Sequence, residues 1–130
     1  MNINKITQIK KATQIKQNLH LIYVIITSNN VLFTVTDLTG KTLLTYSSGA
    51  AQYKSHQKTN PTAVTMTGYH LGKKAILKQI TNVTVIFKGA KKGRKDVLTG
   101  IYNSGVSIKK IMDLTPIPHN GCRRQKQRRV

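Results

Sequence analysis

Residues 31–37 alternate Val31, Phe33 and Val35 against Leu32, Thr34 and Thr36, and residues 20–27 and 42–48 carry looser versions of the same two-residue period. That period predicts three strands. Ser28-Asn29-Asn30 and Leu38-Thr39-Gly40-Lys41 are short enough to be the tight turns of an antiparallel meander. Apolar side chains fall on both faces. Such a sheet is expected to carry helices on one side and a partner, or more of the chain, on the other.

Beyond residue 48 the period changes. Residues 49–59 are polar and basic and predict a flexible loop. Asn60-Pro61 then predicts a helix start, with Thr59 or Asn60 as cap and proline in the first helical position. Val64, Thr67, Gly68, Leu71 and Ala75 recur at helical spacing and are expected to pack on the sheet. Gly68 and Gly72 each cost helix propensity, roughly 1 kcal/mol, so backbone is expected to approach backbone there. A strand over 83–88, a loop over 89–94, a short helix over 96–104 closed by Gly105, and a strand over 106–113 complete the pattern. The order βββ-α-β-α-β predicts an α/β fold with a mixed sheet and right-handed crossovers. The chain divides into a basic N-terminal arm (1–18), an α/β core domain (19–114) and a basic tail (115–130).

Composition narrows the function. At 130 residues the chain has room for one modest core. It carries 22 Lys+Arg against 3 acidic residues, a formal charge of +19 and a pI near 10.5. Self-repulsion at that charge weakens a compact monomer unless a polyanion neutralises it, so nucleic acid is the first expected partner. A basic adhesion module for acidic membrane or protein surfaces is the alternative. It needs a strongly amphipathic basic helix, and residues 61–79 lack large apolar anchors. No apolar run reaches the length of a membrane span. The single cysteine, Cys122, excludes an internal disulfide and agrees with a reducing compartment. Lysine outweighs arginine before the tail, and Ile, Asn and Thr are abundant, a bias of AT-rich codons that suits a mitochondrial genome. Residues 1–18 lack the Arg and Ser of a transit peptide, so a retained arm on an organelle-encoded protein is expected.

The tail is the most distinctive segment. Pro116 and Pro118 fix an extended lead-in, Asn120-Gly121 makes a turn, and Arg123, Arg124, Lys126, Arg128 and Arg129 follow with no acidic or large apolar side chain among them. This cationic end cannot bury enough apolar surface to fold alone and should order against a polyanion. A merely solubilising tail needs no shaped lead-in.

Pro116-Ile117-Pro118-His119-Asn120-Gly121-Cys122-Arg123 resembles the C-terminal signature of the eleventh protein of the small ribosomal subunit, in its bacterial and organellar form. The resemblance runs from about Pro61 to Arg123 through Lys88-Gly89, Gly93-Arg94, Asn103, Gly105 and Asp113-Leu114-Thr115-Pro116, and more loosely back to His20 through Asn29-Asn30 and Thr34-Val35-Thr36-Asp37. It implies a ribonuclease H-like layer and a structural role on the subunit platform, near the mRNA exit path. It further implies small-subunit rRNA and neighbouring platform proteins as partners, and a mitochondrial ribosome as location, with a bacterial or plastid one as alternative. Where the bacterial family usually has prolines, a glycine and a glutamate, this chain has Ala90, Lys91, Lys92 and Lys95, which adds charge to the loop. Lys54 and Gln57 stand where arginine is usual.

The rRNA-contacting residues expected on these grounds are Asn29, Asn30, Tyr53, Lys54, Lys58, Lys88, Lys91, Lys92, Arg94, Lys95, His119, Asn120, Arg123, Arg124, Lys126, Arg128 and Arg129. A glycine-rich turn before a helix aims backbone N–H groups outward as an anion cradle, and Tyr53 can either stack on a base or pack under its own loop. Catalysis is not expected. Two-metal phosphodiester hydrolysis needs clustered carboxylates, whereas Asp37, Asp96 and Asp113 each sit at an element end with an ordinary capping or turn role. The four histidines are scattered, and His119 with Cys122 lacks a second ligand pair for zinc. No metal, cofactor, small-molecule substrate or membrane partner is expected.

Overall fold

The computed structural model describes residues 19–89 and 92–129. The expected arm at 1–18, together with Ala90, Lys91 and Val130, lies outside the described residues.

The two-period segments form strands β1 (Leu19–Ile26), β2 (Val31–Thr36) and β3 (Thr42–Ser47). Helix α1 (Pro61–Leu77) follows, then β4 (Asn82–Gly89), helix α2 (Arg94–Asn103) and β5 (Ser107–Asp113). The five strands make one mixed sheet in the order β3-β2-β1-β4-β5. The meander is antiparallel, as its turns require, while β1–β4 and β4–β5 are parallel pairs. The expected α/β order and mixed sheet are present.

Alternation sorts the core. Ile22, Val24 and Ile26 align with Val35, Phe33 and Val31 on one side and with Val85, Phe87 and Gly89 on the other. Apart from half-buried Gly89, which has no side chain, all of these residues are buried, and with Val64, Leu71 and Ala75 of α1 and Val97 and Ile101 of α2 they form one cluster. The opposite face presents Ile25 and Leu32 exposed and Leu21 and Tyr23 half-buried.

Three expectations are corrected. Residues 49–59 are not simply an open loop: a turn at Ser47–Gln52 and a 3-10 turn at Ser55–Thr59 are closed by local hydrogen bonds. Helix α2 begins two residues earlier than its composition suggests. Gly93, at φ 86°, lets the chain turn sharply enough for Val97 N–H to reach the Gly93 carbonyl. The buried face of α1 is shared as well. Gly68 looks onto the backbone of Val97, Gly100 and Ile101, so the helix packs on α2 at that point, while Val64, Leu71 and Ala75 join the core of the sheet as expected. The anticipated backbone approach is therefore between helices. Gly72 faces the Ser104 side chain instead.

Candidate nucleic-acid interface

The parallel register brings the loops together. Ile26 pairs with Gly89, and Phe87 with Asp113, so β1, β4 and β5 all finish at one end of the sheet. β2 starts at that end beside Ile26, and β3 finishes there, with Ser48 N–H donating to the Val31 carbonyl (3.1 Å). The Thr27–Asn30 turn, the 48–60 connection, the loop after Gly89 and the tail therefore all emerge from one end, as do the N-termini of α1 and α2. Most of the sequence-predicted residues lie in these segments. The turn carrying Asp37 lies at the other end.

Each segment is held differently. In the first turn, Thr27 Oγ1 donates to the Asn30 carbonyl and accepts from Asn30 N–H, both at 3.0 Å. Asn30 Oδ1 accepts from Val31 N–H at 3.0 Å, so that oxygen is spent on its own turn while Asn29 stands exposed at the tip. Tyr53 is half-buried and tied through its N–H to the Ser48 carbonyl (3.2 Å); Lys54 is exposed and Lys58 half-buried. Lys88 pairs in register with Ile25, which places it on the helix-free face, with its ammonium 5.7 Å from the Tyr23 ring centre. Lys92 and Lys95 are exposed.

Arg94 differs from its neighbours. Its guanidinium turns inward, 5.3 Å from the Phe87 ring, and donates to Asp113 Oδ2 (2.8 Å), the Gly89 carbonyl (3.0 Å) and Thr115 Oγ1 (3.3 Å). Thr115 in turn donates to Asp113 Oδ1 through both its N–H (3.0 Å) and its hydroxyl (2.6 Å), and its hydroxyl oxygen accepts from Gly89 N–H (3.2 Å). This knot fastens the root of the tail to the end of β4 and the start of α2. The Arg94 guanidinium first, and then Thr115, hold the Asp113 carboxyl well below the usual carboxylate range. Sequence reasoning placed Arg94 among the exposed cations and missed its pairing with an acid nineteen residues away.

Residues 116–129 are exposed and form no helix or strand. Asn120 takes the left-handed conformation expected of its turn (φ 60°). His119 and Asn120 precede a concavity of about 700 Å³ lined by Arg123, Arg124, Lys126 and Arg129, among others; Arg128 is also exposed. A second cavity, about 340 Å³, opens between the Thr27–Asn30 turn and the starts of α1 and α2. Nothing local in the sequence announces it, because its walls come from three distant segments.

Asp37 Oδ1 accepts from Leu38 N–H in its turn (2.7 Å), as a turn former should. Among the described residues no three His, Cys, Asp or Glu side chains gather as a metal site, and no helix is long and apolar enough to cross a membrane. Cys122 is a free, exposed thiol.

A sequence profile described as ribosomal protein S11 matches residues 20–129. The chain is 33% identical to a protein of Kosmotoga olearia named small ribosomal subunit protein uS11, over 98% of both chains. It is 39% identical to a protein of that name from Carsonella ruddii, over 85% of this chain and 93% of that one. A protein of Oltmannsiellopsis viridis named uS11c is 34% identical over 97% of this chain and 98% of its own length.

Proposed function

This chain belongs to the ribosomal protein S11 family, and from that premise we propose that it binds small-subunit rRNA on the ribosomal platform, near the mRNA exit path. The family is a structural component of the ribosome and not an enzyme. The observation that carries the RNA-binding reading is the convergence of four chain segments, with exposed Lys54, Lys92 and Lys95 and the Arg-rich tail, on one end of the sheet. A rigid core then presents basic loops to several RNA segments at once, and phosphate neutralisation supplies most of the affinity. Neighbouring platform proteins are its other partners, with mRNA nearby. The AT-biased composition favours a mitochondrial ribosome.

The test is competition. The purified chain is offered small-subunit rRNA in the presence of excess anionic lipid vesicles, and selective retention on rRNA is expected. Preferential capture by the vesicles would favour the adhesion alternative. Immunogold labelling of cells from the source organism checks the compartment, and signal confined outside mitochondria overturns that assignment.

A further inference from the structure

The cavity of about 340 Å³ at the loop end has a floor of Ile26, Val31, Pro61 and Val64 and a rim that includes Lys92 and Asp96. A carboxylate there is unexpected. The chain has 3 acidic residues in a net charge of +19, and a carboxylate repels phosphate. The other two are committed, Asp37 to its turn and Asp113 to Arg94 and Thr115, whereas Asp96 makes no hydrogen bond or ion pair with the described residues. A group docked against Asp96 must therefore be a donor, since an ionised carboxylate only accepts. The apolar floor must meet a flat or apolar surface. The volume lies at the lower end of the small-ligand range, enough for a base with its sugar.

We propose that this cavity receives one unstacked guanine of the bound RNA, its ring on the apolar floor and its Watson–Crick edge against Asp96. This rests on the RNA-binding reading above and names a base-reading site within it. Guanine alone among the four bases presents two adjacent donors, N1–H and the N2 amino group, to match the two carboxylate oxygens. Adenine and cytosine place a ring acceptor beside their amino group, and uracil flanks its single N–H with two carbonyls; each would set an acceptor against the carboxylate. Lys92, on the same rim, supplies a cation for the nucleotide's phosphate. Sequence-specific RNA contacts favour such splayed single-stranded bases.

The test uses the full chain, isotope-labelled, titrated separately with guanosine, adenosine, cytidine and uridine 5′-monophosphates and with inorganic phosphate. Guanosine monophosphate is expected to shift the amide signals of Val31, Val64 and Gly93 saturably, while the other nucleotides and phosphate shift chiefly the tail. Asp96→Asn keeps the shape but offers one acceptor where there were two, so affinity for guanosine monophosphate should fall about ten-fold or more, to the level of the other nucleotides. Equal shifts from all four nucleotides, reproduction of the cavity shifts by phosphate alone, or undiminished guanine preference in folded Asp96→Asn would each overturn the proposal. Guanine-selective binding by a chain that fails to bind rRNA would keep the pocket and sink the rRNA-binding reading.

Discussion

Arg94 Nη1 lies 2.8 Å from Asp113 Oδ2, and this pair joins the start of α2 to the end of β5, at the root of the tail. Thr115 extends it by bonding both Asp113 and Gly89, so the tail leaves the sheet in a fixed direction. With an Arg94 side chain about one-fifth exposed and an Asp113 side chain about half exposed (19% and 47%), the ion pair is partly screened by solvent. Its value lies as much in orientation as in stability.

The pair has a pH signature. Asp113 titrates below the ordinary aspartate value of about 3.9. A carboxyl with a lowered folded-state pKa adds stability that is present above its unfolded value and is lost as pH falls toward the folded one. Arg94→Ala removes the principal cause, so the Asp113 midpoint should rise toward the ordinary value and the tail root should loosen. Following the Asp113 side-chain carbon by NMR from neutral to acid pH checks this. An unmoved midpoint in Arg94→Ala would show that Thr115 alone sets the depression.

Helix packing makes a second prediction. A Cβ on Gly100 would lie 2.2 Å from the Thr65 carbonyl oxygen, which is backbone and cannot swing away. Propensity alone predicts that Gly100→Ala stabilises α2 by roughly 1 kcal/mol. The clash must part the two helices and is expected to outweigh that gain, with a net loss of about 1–3 kcal/mol in urea denaturation. Gly121→Ala, which meets nothing within 4 Å, is the control and should change stability by less than about 0.5 kcal/mol. Net stabilisation by Gly100→Ala would mean that the helices separate easily.

Much of this architecture was legible because period and turn chemistry act locally. Val31, Phe33 and Val35 announce a buried strand face, and Asn60-Pro61 announces the start of α1. What stayed hidden depends on neighbours. Gly68 and Gly72 advertise a close approach, but helical spacing does not say that Gly100 supplies the opposing surface of Gly68. Arg94 reads like any loop cation, since composition cannot tell an outward side chain from one turned onto Phe87 and Asp113. Asp96 reads as a helix-start residue until the fold sets it on a cavity wall with Val31 and Val64.

Salt dependence tests the electrostatic mechanism directly. If six to ten phosphates are neutralised, affinity for rRNA should fall on the order of 10³–10⁵ between 50 and 200 mM salt. Filter binding across that range measures the slope. Because Arg94 is committed inside the chain, Arg94→Ala should leave the slope almost unchanged, whereas Lys92→Ala should reduce it by about one. A nearly flat response in the wild type is incompatible with the mechanism.

The tail carries the strongest prediction. Among the described residues, the hydrogen bonds that tie it to the core end at Thr115, and residues 116–129 are exposed throughout. Deleting residues 119–130 removes Arg123, Arg124, Lys126, Arg128 and Arg129 without touching the sheet, the helices or the Arg94–Asp113–Thr115 knot. The core should therefore keep its circular dichroism spectrum and its melting temperature within a few degrees. Incorporation into small subunits should drop sharply, because the knot and the two prolines aim those charges at one place. Arg123→Lys separates charge from geometry: lysine keeps the cation but loses the planar fork that grips phosphate bidentately and stacks on bases. It should weaken rRNA binding measurably while leaving the salt slope close to wild type. If the truncated chain folds and enters subunits as readily as the full one, the tail serves solubility and the rRNA contacts assigned to it are wrong.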